Sequence, residues 1–127
     1  MLYIESPAGV GFSIGNDTRD LKHSDTSQSK DAFVALEAFF VKFPEYIGNE
    51  LFVSGESYGG IYTPYLSWQI YQNNLQAKFN TAKKTYNLKG FLVGNGATNW
   101  DFDVSPSFPS IAYDFNLIPM KLYNNYT

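Results

Sequence analysis

Five residues, Gly55-Glu56-Ser57-Tyr58-Gly59, constrain this chain more than any other part of its sequence. They follow a short apolar run of strand formers, Leu51-Phe52-Val53-Ser54, and precede Ile61, Tyr65, Leu66 and Ile70, which fall on one face of a helix. A G-x-S-x-G segment in that position is a tight strand-to-helix turn. Residues two places either side of the serine must be small for strand and helix to close on each other, and Gly55 and Gly59 meet that need. Such a turn lifts the Ser57 hydroxyl above the sheet. It leaves the Tyr58 backbone N–H at the helix N-terminus, aimed where negative charge would develop. Ser57 is therefore the candidate nucleophile and the Tyr58 N–H the candidate oxyanion donor. The competing reading is a capping serine in a glycine-rich turn.

The remaining elements arrange themselves around that turn. Met1 to Ile4 reads as the end of a buried strand that stops at Glu5-Ser6-Pro7. Pro7, Gly9, Gly11 and Gly15 mark a loop, and Asp25, three residues before Gln28, suggests a helix start. Ala32, Phe33, Leu36, Phe39, Phe40 and Phe43 then form one apolar stripe of a core-facing helix that Pro44 stops. Pro64 is expected to bend the helix after Ser57 or to close its first turns. Polar residues from Gln72 to Thr85 read as a surface excursion, and Leu88 to Val93 as a third strand closed by Gly94-Asn95-Gly96. Pro106, Pro109 and Pro119 punctuate short helical patches. Alternating strands and helices predict an α/β fold with three parallel strands and crossover helices. Residues 1–127 read as a single partial domain, truncated at both ends because the chain opens inside an element. Glu5, Ser57 and Asn95 would emerge together beyond the carboxyl ends of the strands.

Composition narrows the chemistry. Hydrophobic residues make up 44% of the 127 and charged residues 17%, a balance typical of packed domains. A formal net charge of -3 with no basic run argues against nucleic acid as a partner. No apolar stretch is long enough to predict a membrane span, and no signal peptide is read at the N-terminus. Without cysteine there is no disulfide, no thiolate metal site and no thiolate nucleophile. Asn16-Asp17-Thr18 and Asn125-Tyr126-Thr127 are candidate glycosylation sites.

Three segments resemble the serine carboxypeptidases, a family with the α/β-hydrolase fold, in order and spacing. They are Glu5-Ser6-Pro7-Ala8-Gly9-Val10-Gly11-Phe12-Ser13, then Gly55 to Pro64, then Asn87-Leu88-Lys89-Gly90 with Gly94-Asn95-Gly96. Phe39-Phe40 followed by Phe43-Pro44-Glu45-Tyr46 is also similar to the family's helix before the nucleophile strand. The resemblance implies a partial α/β-hydrolase fold with its nucleophile elbow after the second strand. It implies that Ser57 attacks the last peptide bond of a polypeptide, with peptides or proteins bearing a free C-terminus as substrates and Tyr58 N–H as oxyanion donor. Glu56 matches the family residue that helps bind the terminal carboxylate. Two carboxylates in contact repel unless one is protonated, which gives a reason for activity at acidic pH. Asn95 and its glycines would shape the site, although their turn chemistry explains them equally well. Glu5 reads as a loop anchor, not a catalytic acid. A lysosomal, vacuolar or secreted location, with no metal or organic cofactor, is what the resemblance implies.

What this sequence lacks is equally informative. A triad on this fold runs nucleophile, acid, histidine in chain order, and no histidine follows Ser57. His23, the single histidine, reads as a solvated loop residue, and Asp101, Asp103 and Asp114 come too early in the family pattern to be the acid. The family's Asn- and Gly-rich segment, which would supply the second oxyanion donor, is also missing. The chain alone is therefore expected to be catalytically inert and poorly stable. The alternative readings are an acyltransferase built on the same frame, and a remnant or binding module that has lost catalysis.

Overall fold

The computed structural model describes residues 1–126 as a two-stranded parallel sheet with helices packed on it. In chain order the main elements are helix α1 (Asp25–Lys42), strand β1 (Leu51–Glu56), helix α2 (Gly59–Ala77), strand β2 (Leu88–Gly94), helix α3 (Ser107–Asp114) and helix α4 (Met120–Tyr123). Short 3-10 turns occupy Thr18–Leu21 and Pro44–Tyr46, and a single π-type turn spans Trp100–Val104.

Helix α1 starts one residue earlier than the Asp25 pattern implies. Ser24 is the N-cap, and it exchanges hydrogen bonds with Ser27 in a capping box. The helix ends at Lys42, because Pro44 lacks an N–H and its ring excludes a further helical turn. Ala32, Leu36 and Phe40 of the apolar stripe are buried, Phe33 and Phe39 half-buried, and Phe43 lies at the exposed end. Leu36 and Phe40 join Ile70 of α2 and Tyr86 in one core that also takes in Leu51 and Val53 of β1 and Leu88 of β2. Tyr86 stacks on Phe40 at 5.2 Å between ring centroids and meets Phe33 edge-on at 6.0 Å.

Helix α2 is the crossover between the parallel strands, as the β-α-β order requires. It runs unbroken through Pro64, which sits one turn inside its start, and it reaches into the polar stretch as far as Ala77. In its last two turns, two asparagines fasten the chain's return to the sheet. The Asn74 side chain donates to the Tyr86 carbonyl at 2.7 Å and accepts from the Tyr86 N–H at 2.8 Å, and Asn73 donates to the Lys84 carbonyl at 2.8 Å.

The sheet differs from expectation at its first strand. Met1 to Ile4 forms no strand, so two parallel strands are present among the described residues instead of three. A β-strand exists only where a neighbour pairs its backbone groups, and no strand among the described residues pairs with this segment. A cavity of about 1000 Å³ separates Met1–Ser6 from β1. All six residues of β1 line that cavity consecutively, whereas a sheet face would contribute every second residue. The boundary is therefore the unpaired backbone edge of β1.

Candidate active site

Two residues, Ser57 and Tyr58, join β1 to α2. Ser57 lies in the left-handed region at φ 58° and its side chain is exposed, while Tyr58 returns to helical geometry at φ -61°. Left-handed backbone is unfavourable for a residue with a Cβ, so the surroundings must hold Ser57 there. The segment leaving β2 does so. The Ser57 N–H donates to the Gly94 carbonyl at 3.0 Å, and the Ser57 carbonyl accepts from Ala97 N–H at 2.8 Å and from Gly60 N–H at 3.0 Å.

The glycines divide this task differently from the motif argument. A Cβ on Gly55 would lie 2.9 Å from Thr63 Cγ2 and 3.0 Å from Gly59 Cα, so strand and helix do close on each other there. A Cβ on Gly59 would meet nothing within 4 Å. The second tight position is instead Gly60, where a Cβ would sit 2.6 Å from the Ala97 carbonyl oxygen. Gly96 is equally confined, by Val93 and by Gly60 itself. The Gly59-Gly60 pair and the Gly94-Asn95-Gly96 run carried that signal in the sequence, but only their meeting in space assigns it.

Neither the Tyr58 nor the Gly59 N–H has a backbone acceptor among the described residues, which leaves two amides free at the start of a 19-residue helix. The α2 N-cap carries no side-chain hydrogen bond. The Tyr58 ring is half-buried, edge-on to Tyr62 at 4.9 Å and tilted against Trp100 at 6.4 Å. Its hydroxyl donates to Asp25 Oδ1 at 3.0 Å. That hydrogen bond, followed by burial and the Asp25 charge, raises the phenol above its ordinary range.

The other predicted site residues separate into two groups. Glu5, Glu56, Ser57 and Tyr58 line the same cavity, which is floored by Gln28, Ala32 and Leu36 of α1 and by Tyr62, Thr63 and Leu66 of α2. Glu56 is exposed, and its side chain has no hydrogen bond or ion pair among the described residues. Asn95 stands outside the cavity lining, at φ 43°, where asparagine is better tolerated than most residues. Its neighbours Gly94 and Ala97, not its side chain, touch Ser57.

Glu5 anchors the following loop, as expected. Its carboxylate accepts from Phe12 N–H, and its carbonyl accepts from the Ser13 hydroxyl at 2.6 Å. His23 is not simply solvated. It is half-buried, and its Nε2 bonds the Ala8 carbonyl at 3.0 Å, tying that loop to the start of α1. Asp103 caps the turn after β2, taking hydrogen bonds from Thr98 and Asn99, and the Thr98 hydroxyl foremost holds its carboxyl below the usual range. Asn16 is exposed with its N–H bonded to Asp20, and Thr127 of the second sequon lies outside the described residues. Among the described residues no group of three or more His, Cys, Asp or Glu could hold a metal ion, and no helix is long and apolar enough to cross a membrane.

Comparison with known proteins converges on one family. The family model described as serine carboxypeptidase matches residues 1–127. Serine carboxypeptidase-like 21 of Arabidopsis thaliana is 40% identical over 123 residues, covering 97% of this chain and 24% of that protein. Serine carboxypeptidase 3 of Oryza sativa subsp. japonica is 37% identical over 124 residues, covering 98% of this chain and 24% of that protein. Among solved structures, the prohormone-processing carboxypeptidase Kex1(Δ)p of Saccharomyces cerevisiae superposes with a TM-score of 0.72 at 28% identity, covering 98% of this chain and 28% of that one. The chain thus spans about a quarter of the length of the relatives it matches.

Proposed function

The chain belongs to the serine carboxypeptidase family, and from that membership we propose that it carries the acyl-forming half of a carboxypeptidase site, with Ser57 as the nucleophile. The observation that carries this reading is an exposed serine held at φ 58° beside two helix-terminal amides without a hydrogen-bond acceptor among the described residues. A capping serine needs no such backbone, because N-cap residues sit comfortably in the extended region.

In the proposed reaction Ser57 Oγ attacks the carbonyl carbon of the last peptide bond, and its proton passes to a general base. The carbonyl oxygen becomes an oxyanion that takes a hydrogen bond from Tyr58 N–H. As the base returns that proton to the leaving nitrogen, collapse expels the C-terminal amino acid and leaves an acyl-serine for water to hydrolyse. Glu56, exposed and unpaired on the same cavity, is proposed to share a proton with the substrate's terminal carboxylate. The base is not His23, whose Nε2 is committed to Ala8. No other histidine is present, so it must come from polypeptide outside these 127 residues.

Two measurements test this reading. The full-length protein that carries the chain should release free amino acid from a peptide with an unblocked C-terminus and should label at Ser57 with a fluorophosphonate. Ser57→Ala should lower turnover by several orders of magnitude and abolish labelling. The 127-residue chain alone should show no turnover. Retention of activity by the alanine variant overturns the assignment.

A further inference from the structure

Charge is spread unevenly along this chain. No Asp or Glu occurs between Ser57 and Trp100, whereas Lys78, Lys83, Lys84 and Lys89 all fall there. Lys89 lies 3.9 Å from Glu50. The other three stand exposed in the loop that leaves α2, and none of them forms an ion pair among the described residues. Lys83 Nζ donates to the Asn73 side chain at 3.4 Å, a neutral partner that leaves its charge unbalanced. In the same loop Phe79 is 92% exposed.

The backbone that presents this ring is tied down. Phe79 N–H and Asn80 N–H both donate to the Gln76 carbonyl at 3.0 Å, Lys83 N–H donates to the Asn80 carbonyl at 3.1 Å, and Asn73 holds the Lys84 carbonyl. Lysines without acidic partners stay at a protein surface, because burying an unpaired ammonium costs too much. The tip therefore remains open to solvent whatever polypeptide packs elsewhere. Trp68 and Tyr71, each about half exposed and in contact at 5.7 Å, extend the aromatic surface along α2, a helix without a single charged residue.

We propose that this tip docks on an anionic lipid surface, with Phe79 entering the headgroup boundary while Lys78, Lys83 and Lys84 meet the charged headgroups. A ring standing this far out needs a matching pocket on a protein partner, whereas a fluid headgroup layer takes a convex apolar tip of any shape. Trp and Tyr rings also suit a membrane–water boundary, where one end is apolar and the other wet. The stretch without carboxylates removes the repulsion an anionic surface would otherwise exert. Helix α2 begins beside Ser57 and ends at the tip, roughly 28 Å away for its 19 residues. Docking needs no chemistry at Ser57 and leaves that turn free.

The test mixes the full-length protein that carries the chain with sucrose-loaded vesicles at low ionic strength and measures the fraction sedimented. Vesicles of phosphatidylserine and phosphatidylcholine in equal parts should bind it about 10-fold more tightly than phosphatidylcholine alone. Lys83→Gln combined with Lys84→Gln should weaken that binding about 10- to 30-fold, since each lysine near such a surface is worth about fivefold. Phe79→Ala should weaken it about 10-fold, and this loss should persist at high salt, because screening removes only the electrostatic part. These variants alter exposed side chains alone and should keep the parent's melting temperature. Ser57→Ala should bind vesicles as the parent does, so failure of either reading leaves the other standing. A parent protein that stays in the supernatant with phosphatidylserine vesicles overturns the proposal, as does binding that neither the lysine nor the Phe79 variant weakens. Binding that soluble polyglutamate displaces and Phe79→Ala leaves unchanged overturns it in favour of an acidic protein partner.

Discussion

Gly60 lies so close to Ala97 that a single methyl group at Gly60 would stand 2.6 Å from the Ala97 carbonyl oxygen. Backbone meets backbone there, and the same Ala97 donates its N–H to Ser57. The start of α2, the exit from β2 and the serine turn are one packed unit.

Gly60→Ala should therefore destabilise the fold by about 1–3 kcal/mol, the range for forcing an extra methyl group into a packed interior. Gly59→Ala, whose Cβ meets nothing within 4 Å, should stay within about 0.5 kcal/mol of the parent. Urea melts of the full-length protein compare the two. Equal losses would show that the close contact is not what makes glycine necessary.

Tyr86 should impose an alkaline limit on stability. Burial, then the Glu37 charge and hydrogen bond, pushes its phenol up to about 12 from an ordinary value of 10.0. The folded state therefore keeps a proton that the unfolded chain releases between those two values. The stabilisation is complete below pH 10 and is lost as the pH rises through the folded value. Tyr86→Phe should flatten this alkaline decline in a series of melts at increasing pH, and an unchanged slope would count against it.

The Asn74 amide satisfies both backbone groups of Tyr86. Asn74→Ala strands the Tyr86 N–H beside a buried ring, while the Tyr86 carbonyl keeps its bond from Leu88 N–H, at a cost of about 1–3 kcal/mol. Asn74→Asp keeps the acceptor and should lose less. Thermal denaturation ranks the pair, and the reverse order would refute the clamp.

The 127-residue chain alone should self-associate. The β1 edge is unpaired, and Phe52, Phe91 and Leu92 are each more than half exposed on the two strands. Open edges beside apolar surface pair with other chains. Sedimentation should show mass above the monomer, and a single monomeric boundary at about 100 μM would contradict this.

Much of this organisation was legible in the sequence, and for local reasons. The α1 stripe, the stop at Pro44, the two strands and the serine turn all follow from periodicity and from residues that restrict the backbone within a few positions. Met1–Ile4 was misread because apolar strand formers specify a strand only when a partner lies alongside, and that is not a local property. Gly59 and Gly60 were interchangeable by pattern, and only the Ala97 backbone distinguishes them. The bond from Asp25 to Tyr58 left no trace, since nothing in either neighbourhood points 33 residues away.

The left-handed conformation of Ser57 sets chemistry against comfort. A serine there bears roughly 1 kcal/mol that glycine would not, so the turn would fold more readily with the whole side chain, Cβ included, removed. On the proposed reading of Ser57, a drift toward glycine at this one position would toughen the protein while silencing it, and only selection for the proposed reaction would oppose that drift.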